Sequence, residues 1–361
     1  MTVTRLEEAG DSNFGWPPGG RLVRMTVDML EQPAIDDAEI AAHVMGAFEL
    51  VVTDVAFLPV GADEHAAAYR ITSDRGDHFL KLRRVALDKA RATAELCRFL
   101  AGSGPTNVLG PIPGRSGELV TTLQGFVLTL YPFVAGRNGF ESPLTESQWI
   151  ELGRALRAVH DADLPVALHR PIRVEAFAPT FRDRVRARLA ARPPVDDVAR
   201  GLVDLLTDRH EQIETIVRRA EDLSAAARAT PSASVLCHSD IHAGNVICAE
   251  DASLVVVDWD DPIIGPRERD LMFIGAGVGG AWNRPHESDA FYRGYGATQV
   301  DGRLIAYYRY ERIAEDLALY SDALLLTGRG GPDRRRSLEA IADAFRPGNV
   351  VDMADRFYEG L

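Results

Sequence analysis

Apolar residues at Ile40, Ala41, Val44, Ala47 and Phe48 recur at spacings of one, three and four behind Asp36 and Asp37, a pattern that predicts a helix with an acidic start. The period then shortens. Val51–Val60, Ala66–Thr72 and His78–Leu82 are short runs separated by the polar stretches Gly61–His65 and Ser73–Asp77, and they read as an antiparallel meander. Leu87–Leu100 returns to a helical spacing, and two further strands fit within Leu119–Leu130. The first part of the chain is therefore expected to form about five strands with one or two helices. After Tyr131–Gly136 the character changes, because Glu146–His160, Phe181–Ala191 and Val198–Ala229 all carry helical periods. The exception is Ser234–Asp258, where the apolar runs Val235–Cys237, Val246–Cys248 and Leu254–Val257 alternate with polar loops before helices resume from Asp270. Residues 1–24, with Gly15, Trp16, Pro17, Pro18, Gly19 and Gly20, show no apolar period and read as a disordered leader. The expectation is an α+β protein with an N-terminal lobe over 25–132 and a larger, mostly helical lobe over 133–361.

Composition narrows the classes. With 361 residues, 46% of them hydrophobic, the chain can bury a large core, and its length suits two packed lobes with a cleft between them. Forty basic against fifty-three acidic residues leave a net charge of -13, a field that repels nucleic acid and anionic lipid and favours a cationic ligand. Three scattered cysteines form no disulfide framework and point to a reducing compartment. The longest uncharged stretch, Leu119–Gly136, contains Thr121, Thr122, Gln124, Gly125 and Pro132 and suits a hairpin better than a membrane span. The chain does not open on a basic segment followed by an apolar run, so a cytoplasmic location is expected.

The chemistry is concentrated in His238-Ser239-Asp240-Ile241-His242-Ala243-Gly244-Asn245, of the form HxDxxxxN, with Asp258 at the end of the next strand. Two strand ends thus bring two carboxylates and an amide to one place. Phosphoryl transfer needs such a set: hard oxygens for a divalent cation and an acceptor for the incoming hydroxyl's proton. In that reading Asp240 is the base, and Asn245 and Asp258 hold Mg²⁺. The plainer alternative is that Asp240 and Asn245 merely bond backbone groups in a turn. Two decoys compete. Gly275–Gly280 spells GxGxxG, but Asn283, Arg284 and Pro285 interrupt any crossover helix. Cys237, His238, His242 and Cys248 match no common zinc spacing.

The run VLCHSDIHAGNVICAEDASLVVVDWDDPIIGPRERDLMFIG from Val235 resembles the aminoglycoside phosphotransferases, which are similar in fold to protein kinases. The DWD triplet, RERDLMFIG, WNRPHE and YYRYERIAEDLALY look most like the spectinomycin phosphotransferase branch. The resemblance implies a two-lobed kinase-like fold, ATP as donor with GTP left open, and a small cationic aminocyclitol or aminoglycoside antibiotic as acceptor. It implies that Lys81 contacts the donor phosphates, that Glu95 on the following helix is its ion-pair partner, and that the loop at Gly61 covers the triphosphate. The junction at Tyr131 and Phe133 would meet the adenine edge. Asp270 would brace the catalytic loop, with His238 orienting it. Two departures stand out: Ser239 where glycine is commoner, and Trp259-Asp260 in place of the Phe-Gly of protein kinases. For the acceptor, Trp282 is assigned as an apolar wall, alone or with Tyr292 and Tyr295, and Asp260 and Glu315 as carboxylates for its amines. The expected function is phosphorylation of a hydroxyl of spectinomycin or a similar aminocyclitol, conferring resistance. Its rivals are a kinase of choline, homoserine or a sugar, and an inactive binding protein.

Overall fold

The computed structural model describes residues 32–60, 66–190, 196–230, 232–326 and 331–361. The expected leader at 1–24 and the loop at Gly61 lie outside these residues.

The chain starts with α1 (Asp37–Phe48), capped by the Asp36 carboxylate, which accepts from Ala38 N at 2.8 Å. Five antiparallel strands follow, β1 (Val52–Leu58), β2 (Ala66–Ser73), β3 (Gly76–Arg83), β4 (Thr121–Leu123) and β5 (Phe126–Pro132), in the order β1-β2-β3-β5-β4. Between β3 and β4 the chain forms α2 (Leu87–Ala101). The period of two assigns the faces of this sheet. Leu80 and Leu82 of β3 and Phe126, Leu128 and Leu130 of β5 join Ile40, Val44 and Phe48 of α1 in one dry cluster. The alternate residues Phe79, Lys81 and Arg83 therefore share the opposite face, the side on which α2 packs through Ala90 and Ala94 against Val127.

At Pro132 the chain leaves this sheet. The next strand, β6 (Gly136–Asn138), pairs instead with β9, far along the sequence. The helical part begins with α3 (Glu146–His160), whose Thr145 and Gln148 form a reciprocal capping box. It continues through α4 (Val166–His169), the two-residue β7 (Arg173–Val174), α5 (Thr180–Leu189), α6 (Asp197–Asp208) and α7 (His210–Ala229). The strands β8 (Ser234–Cys237), β9 (Val246–Ala249), β10 (Leu254–Val256) and β11 (Ile263–Pro266) make two small sheets, β10-β9-β6 and β7-β11-β8. β11 is a strand that the apolar pattern does not single out, being four residues ending on a proline. Then come α8 (Glu268–Leu271), α9 (Pro285–Tyr295), the 25-residue α10 (Gly302–Leu326), α11 (Gly331–Ala344) and α12 (Val350–Glu359).

α10 is the axis of this half: Tyr307, Tyr308 and Tyr310 are buried along it, and α5, α7, α8, α11 and α12 all pack on it. The GxGxxG run forms no strand-to-helix crossover. Gly275, Gly277, Gly279 and Gly280 all have positive φ, so the segment is a succession of left-handed turns. No helix among the described residues is long and apolar enough to cross a membrane.

α3 and α9 approach so closely that side chains are excluded at the crossing. A Cβ at Gly153 would collide with the carbonyl of Phe291 and the N of Tyr295, and one at Gly294 with the carbonyl of Ile150. Here backbone rather than a flexible side chain blocks the space. Gly294→Ala is expected to cost about 2 kcal/mol through overpacking, seen as a lowered melting temperature. Gly46→Ala, in α1 where nothing lies within 4 Å, should leave it unchanged or raise it.

Candidate active site

The loop 238–245 runs from β8 to β9 and so links the two small sheets. Its start is fixed by Asp270, which is fully buried and accepts from the backbone N–H of His238 (2.8 Å) and of Ser239 (2.7 Å). A third donor, His160 Nε2, reaches the same carboxylate at 3.0 Å, while Tyr295 Oη bonds His160 Nδ1 at 2.7 Å. Ser239 has φ 73°, which explains why glycine suits this position. Its hydroxyl donates to the carbonyl of Asp261 at 2.7 Å, tying the loop to the segment after β10. His238 spans the same gap: its Nδ1 accepts from Asp240 N at 3.2 Å, so the other nitrogen carries the proton and donates to the Val257 carbonyl at 2.9 Å. Asn245 Nδ2 donates to the Asp240 carbonyl at 2.8 Å, which leaves Oδ1 as its acceptor atom.

Asp240 sits at the apex, with 36% of its side chain open. Burial works to raise its pKa, yet Arg312, with His242 and His238 behind it, holds the carboxyl at about 2. Arg312 Nη1 lies 2.5 Å from Asp240 Oδ1. Facing it, Lys81 of β3 crosses from the five-stranded sheet to Asp258 at 2.7 Å and to Asp260 at 2.9 Å. Desolvation opposes both charges, but the two carboxylates raise the Lys81 pKa and Lys81 lowers that of Asp258. Arg83, next on the same face of β3, also pairs with Asp260, and Lys89 of α2 reaches Asp261 at 2.6 Å. Three cations of the first half therefore grip the three aspartates 258, 260 and 261.

This arrangement revises several expectations. Glu95 is exposed on α2 and does not meet Lys81, because the α2 face that packs inward is the one bearing Thr93, Ala94, Leu96 and Cys97. Asp260 takes the place expected of Glu95, and is correspondingly committed to Lys81 and Arg83 rather than to an acceptor amine. Trp282 is not an open wall: it is 6% exposed and packs edge-on against Trp149 at 4.9 Å, in the core. Tyr295 is buried as well, on His160. Glu315 lies 3.4 Å from Arg269. At the junction, Tyr131 pairs with Phe79 in the sheet, and the Phe133 N–H is given to the Asp77 carbonyl at 3.3 Å with its ring against Arg70. The four residues of the zinc decoy do not converge. The described His, Cys, Asp and Glu side chains hold one cluster of metal-ligand spacing, His160, Cys237 and Asp270, and its carboxylate is already used by three N–H donors.

Sequence reasoning missed Arg312, His160 and Arg269. Arg312 stands four residues before Asp316 on α10, a spacing that by itself signals only a surface pair.

A family model of the phosphotransferase enzyme family, APH, matches residues 56–312. With the two-lobed kinase-like architecture and this loop, the chain belongs to that family and is a phosphotransferase. It is similar to a solved spectinomycin phosphotransferase, APH(9)-Ia, in complex with ADP and spectinomycin: 34% identical, covering 91% of this chain and 100% of that one, with a TM-score of 0.83. It is 25% identical over 246 residues to protein StrN of Streptomyces griseus, covering 66% of this chain and 74% of that protein. An amicoumacin kinase shares the fold at 15% identity and a TM-score of 0.59 over 91% of this chain and 98% of that one.

Behind the site, Glu311 of α10 is buried 3.1 Å from Arg182 of α5 without a well-directed hydrogen bond. Burial pushes its pKa from 4.5 up to about 7, against the pull of Arg182. The folded chain then holds this proton more tightly than the unfolded one, so stability falls as pH rises from the unfolded to the folded value. Asp316, pushed up to about 6, adds in the same direction. Thermal melts at pH 5 and pH 8 should show a smaller drop for Glu311→Gln than for the wild-type chain; an equal drop would remove Glu311 from the account.

Proposed function

We propose that this phosphotransferase moves the terminal phosphoryl group of ATP to a hydroxyl of a small cationic aminocyclitol, spectinomycin or a close analogue. The observation that carries the reading is the meeting of Lys81 with Asp258, 2.7 Å apart, across from an Asp240 that is braced, ionised and partly open. The 34% identity to a spectinomycin phosphotransferase along nearly the whole chain supports the choice of acceptor.

The donor set fits magnesium. Asn245 keeps its carbonyl oxygen, and the Asp258 side chain is 43% open, so both offer the hard oxygens such a cation prefers. When bound there, Mg²⁺ would neutralise charge on the donor's phosphate oxygens. Lys81 would supply a second positive charge to those phosphates, kept in place by Asp260. Asp240 accepts a hydrogen bond from the acceptor hydroxyl and takes its proton as the new O–P bond forms and the bond to the nucleoside diphosphate breaks. With a pKa near 2 it is a weak base, which suits a loose transition state where the hydroxyl proton leaves late and orientation matters most. Phosphorylation places about two negative charges on a cationic antibiotic and would spoil its binding to an RNA target. The reading implies a cytoplasmic location, where nucleoside triphosphate is supplied.

Acceptor choice rests on the carboxylates around Arg312. Asp316 and Glu315 follow it by about one turn or less on α10, and with Asp240 they set three carboxylates against the guanidiniums of Arg312 and Arg269. They form a compact acidic spot rather than a long trough, which suits a small rigid diamine.

Incubation with MgATP should give a spectinomycin phosphate by mass spectrometry, with kanamycin and neomycin poor acceptors. Rapid phosphorylation of kanamycin with none of spectinomycin would overturn the acceptor while leaving the mechanism. Asp240→Asn should lower kcat by about 100-fold or more with the KM for ATP little changed. A second comparison tests the nucleotide side: Asp260→Ala should raise the KM for ATP several-fold, whereas Glu95→Ala should leave it where it was. The reverse ranking would return the lysine's partner to α2.

A further inference from the structure

Arg312 is unexpected at a site built for a cationic acceptor, since its charge opposes the ligand. Its contacts explain its presence. The guanidinium spans two carboxylates, Nη1 to Asp240 Oδ1 at 2.5 Å and Nε to Asp316 Oδ1 at 3.1 Å. Its carbon lies 5.8 Å from the ring centre of Phe273, which is itself buried beside His242. The helix beneath it cannot drift. One turn earlier, Arg309 Nε and Nη2 donate to the carbonyls of Met272 (3.1 Å) and Ile274 (2.9 Å), the stretch that directly follows the loop-bracing Asp270. Thus α10 is joined directly to the 238–245 loop through Arg312 and Asp240, and through Arg309 to the segment that follows the loop-bracing Asp270.

The Asp240 carboxylate has two oxygens, and they are not equivalent. Oδ1 accepts from Arg312 Nη1, whereas Oδ2 lies 3.8 Å from His242 Nε2, beyond hydrogen-bond reach. Arg269 and the His238 imidazole also lie around it, with Lys81 occupied by Asp258 and Asp260. We propose that Arg312 is the positioning residue of the transfer step: held by Asp316, it fixes the side-chain rotamer of Asp240 so that Oδ2 is the oxygen presented to the acceptor hydroxyl. Oδ2 receives the hydroxyl proton while the acceptor oxygen bonds phosphorus and the nucleoside diphosphate departs. A carboxylate free to rotate would present either oxygen in many orientations, and the lost alignment would appear in kcat. The inference rests on the kinase reading above and adds to it a residue from α10, 72 positions away in sequence.

The test uses the full-length chain and four variants, Arg312→Ala, Arg312→Lys, Asp316→Asn and Asp240→Ala, with folding checked by thermal melting. Arg312→Ala should lower kcat by about 30-fold or more with the KM for MgATP within about twofold of wild type, the split expected when only the transition state is affected. Methylguanidine at millimolar concentration should restore part of that kcat, because it can reoccupy the gap between the carboxylates, but should not rescue Asp240→Ala. Arg312→Lys should fall between wild type and Arg312→Ala. Asp316→Asn, which leaves the arginine with one anchor, should lose several-fold in kcat even if Arg312→Ala folds poorly. The inference is overturned by wild-type kcat in Arg312→Ala, by a loss that methylguanidine does not touch while lysine performs no better than alanine, or by an unchanged kcat in Asp316→Asn. These ratios are read on any acceptor that turns over, water included. An error in the acceptor would instead show in the wild-type enzyme, as absence of spectinomycin phosphate.

Discussion

The catalytic half is organised around one buried charge. Asp270 is wholly removed from solvent, and a carboxylate so placed costs several kcal/mol unless donors replace its water. Three N–H groups do so here: two from the backbone at the start of the 238–245 loop and one from His160. The demand of that charge for donors holds Ser239 in its left-handed conformation, and the Ser239 hydroxyl then reaches the segment carrying Asp258 and Asp260. Loop, strand end and α3 are thereby locked to one atom group.

The second constraint joins the halves. β3 offers Lys81 and Arg83 on the face opposite α1, and the segment after β10 offers Asp258, Asp260 and Asp261. Because Asp260 serves both cations, the geometry of the lysine is coupled to the segment that holds the proposed metal ligand Asp258, and α2 contributes Lys89 rather than Glu95.

α10 supplies the third element. Its charged residues Glu311, Arg312, Glu315 and Asp316 reach α5, the catalytic loop and α8, while its tyrosines fill the core behind them. Its apolar and charged positions are spread around much of the circumference, as expected for a helix packed by several neighbours. There Arg312 offsets the charge of Asp240, and Asp316 lies on the other side of the same guanidinium.

Local pattern by itself determined the element types and most of their limits. The period of 3.6 from Glu146 to His160 reappears residue for residue in α3, and the runs Ala66–Thr72 and His78–Leu82 fall within β2 and β3, where the alternation of β3 records its buried face. The HxDxxxxN spacing was legible for a similar reason: short strands fix where loop residues emerge, so Asp240, Asn245 and Asp258 could be brought together on paper. Partners across the fold were not legible. Glu95 and Asp260 are both acids at plausible spacings from Lys81, and only the packing of α2 turns one outward while the turn at Asp258, with φ 65°, delivers the other. Trp282 is assigned from sequence as a wall although aromatics at such spacing more often fill a core, and its contact with Trp149 places it in the core. Arg312 lies 72 residues from Asp240, and no local period encodes a contact at that range; it exists because the packing of α10 on α5, α7 and α8 carries the guanidinium to the loop.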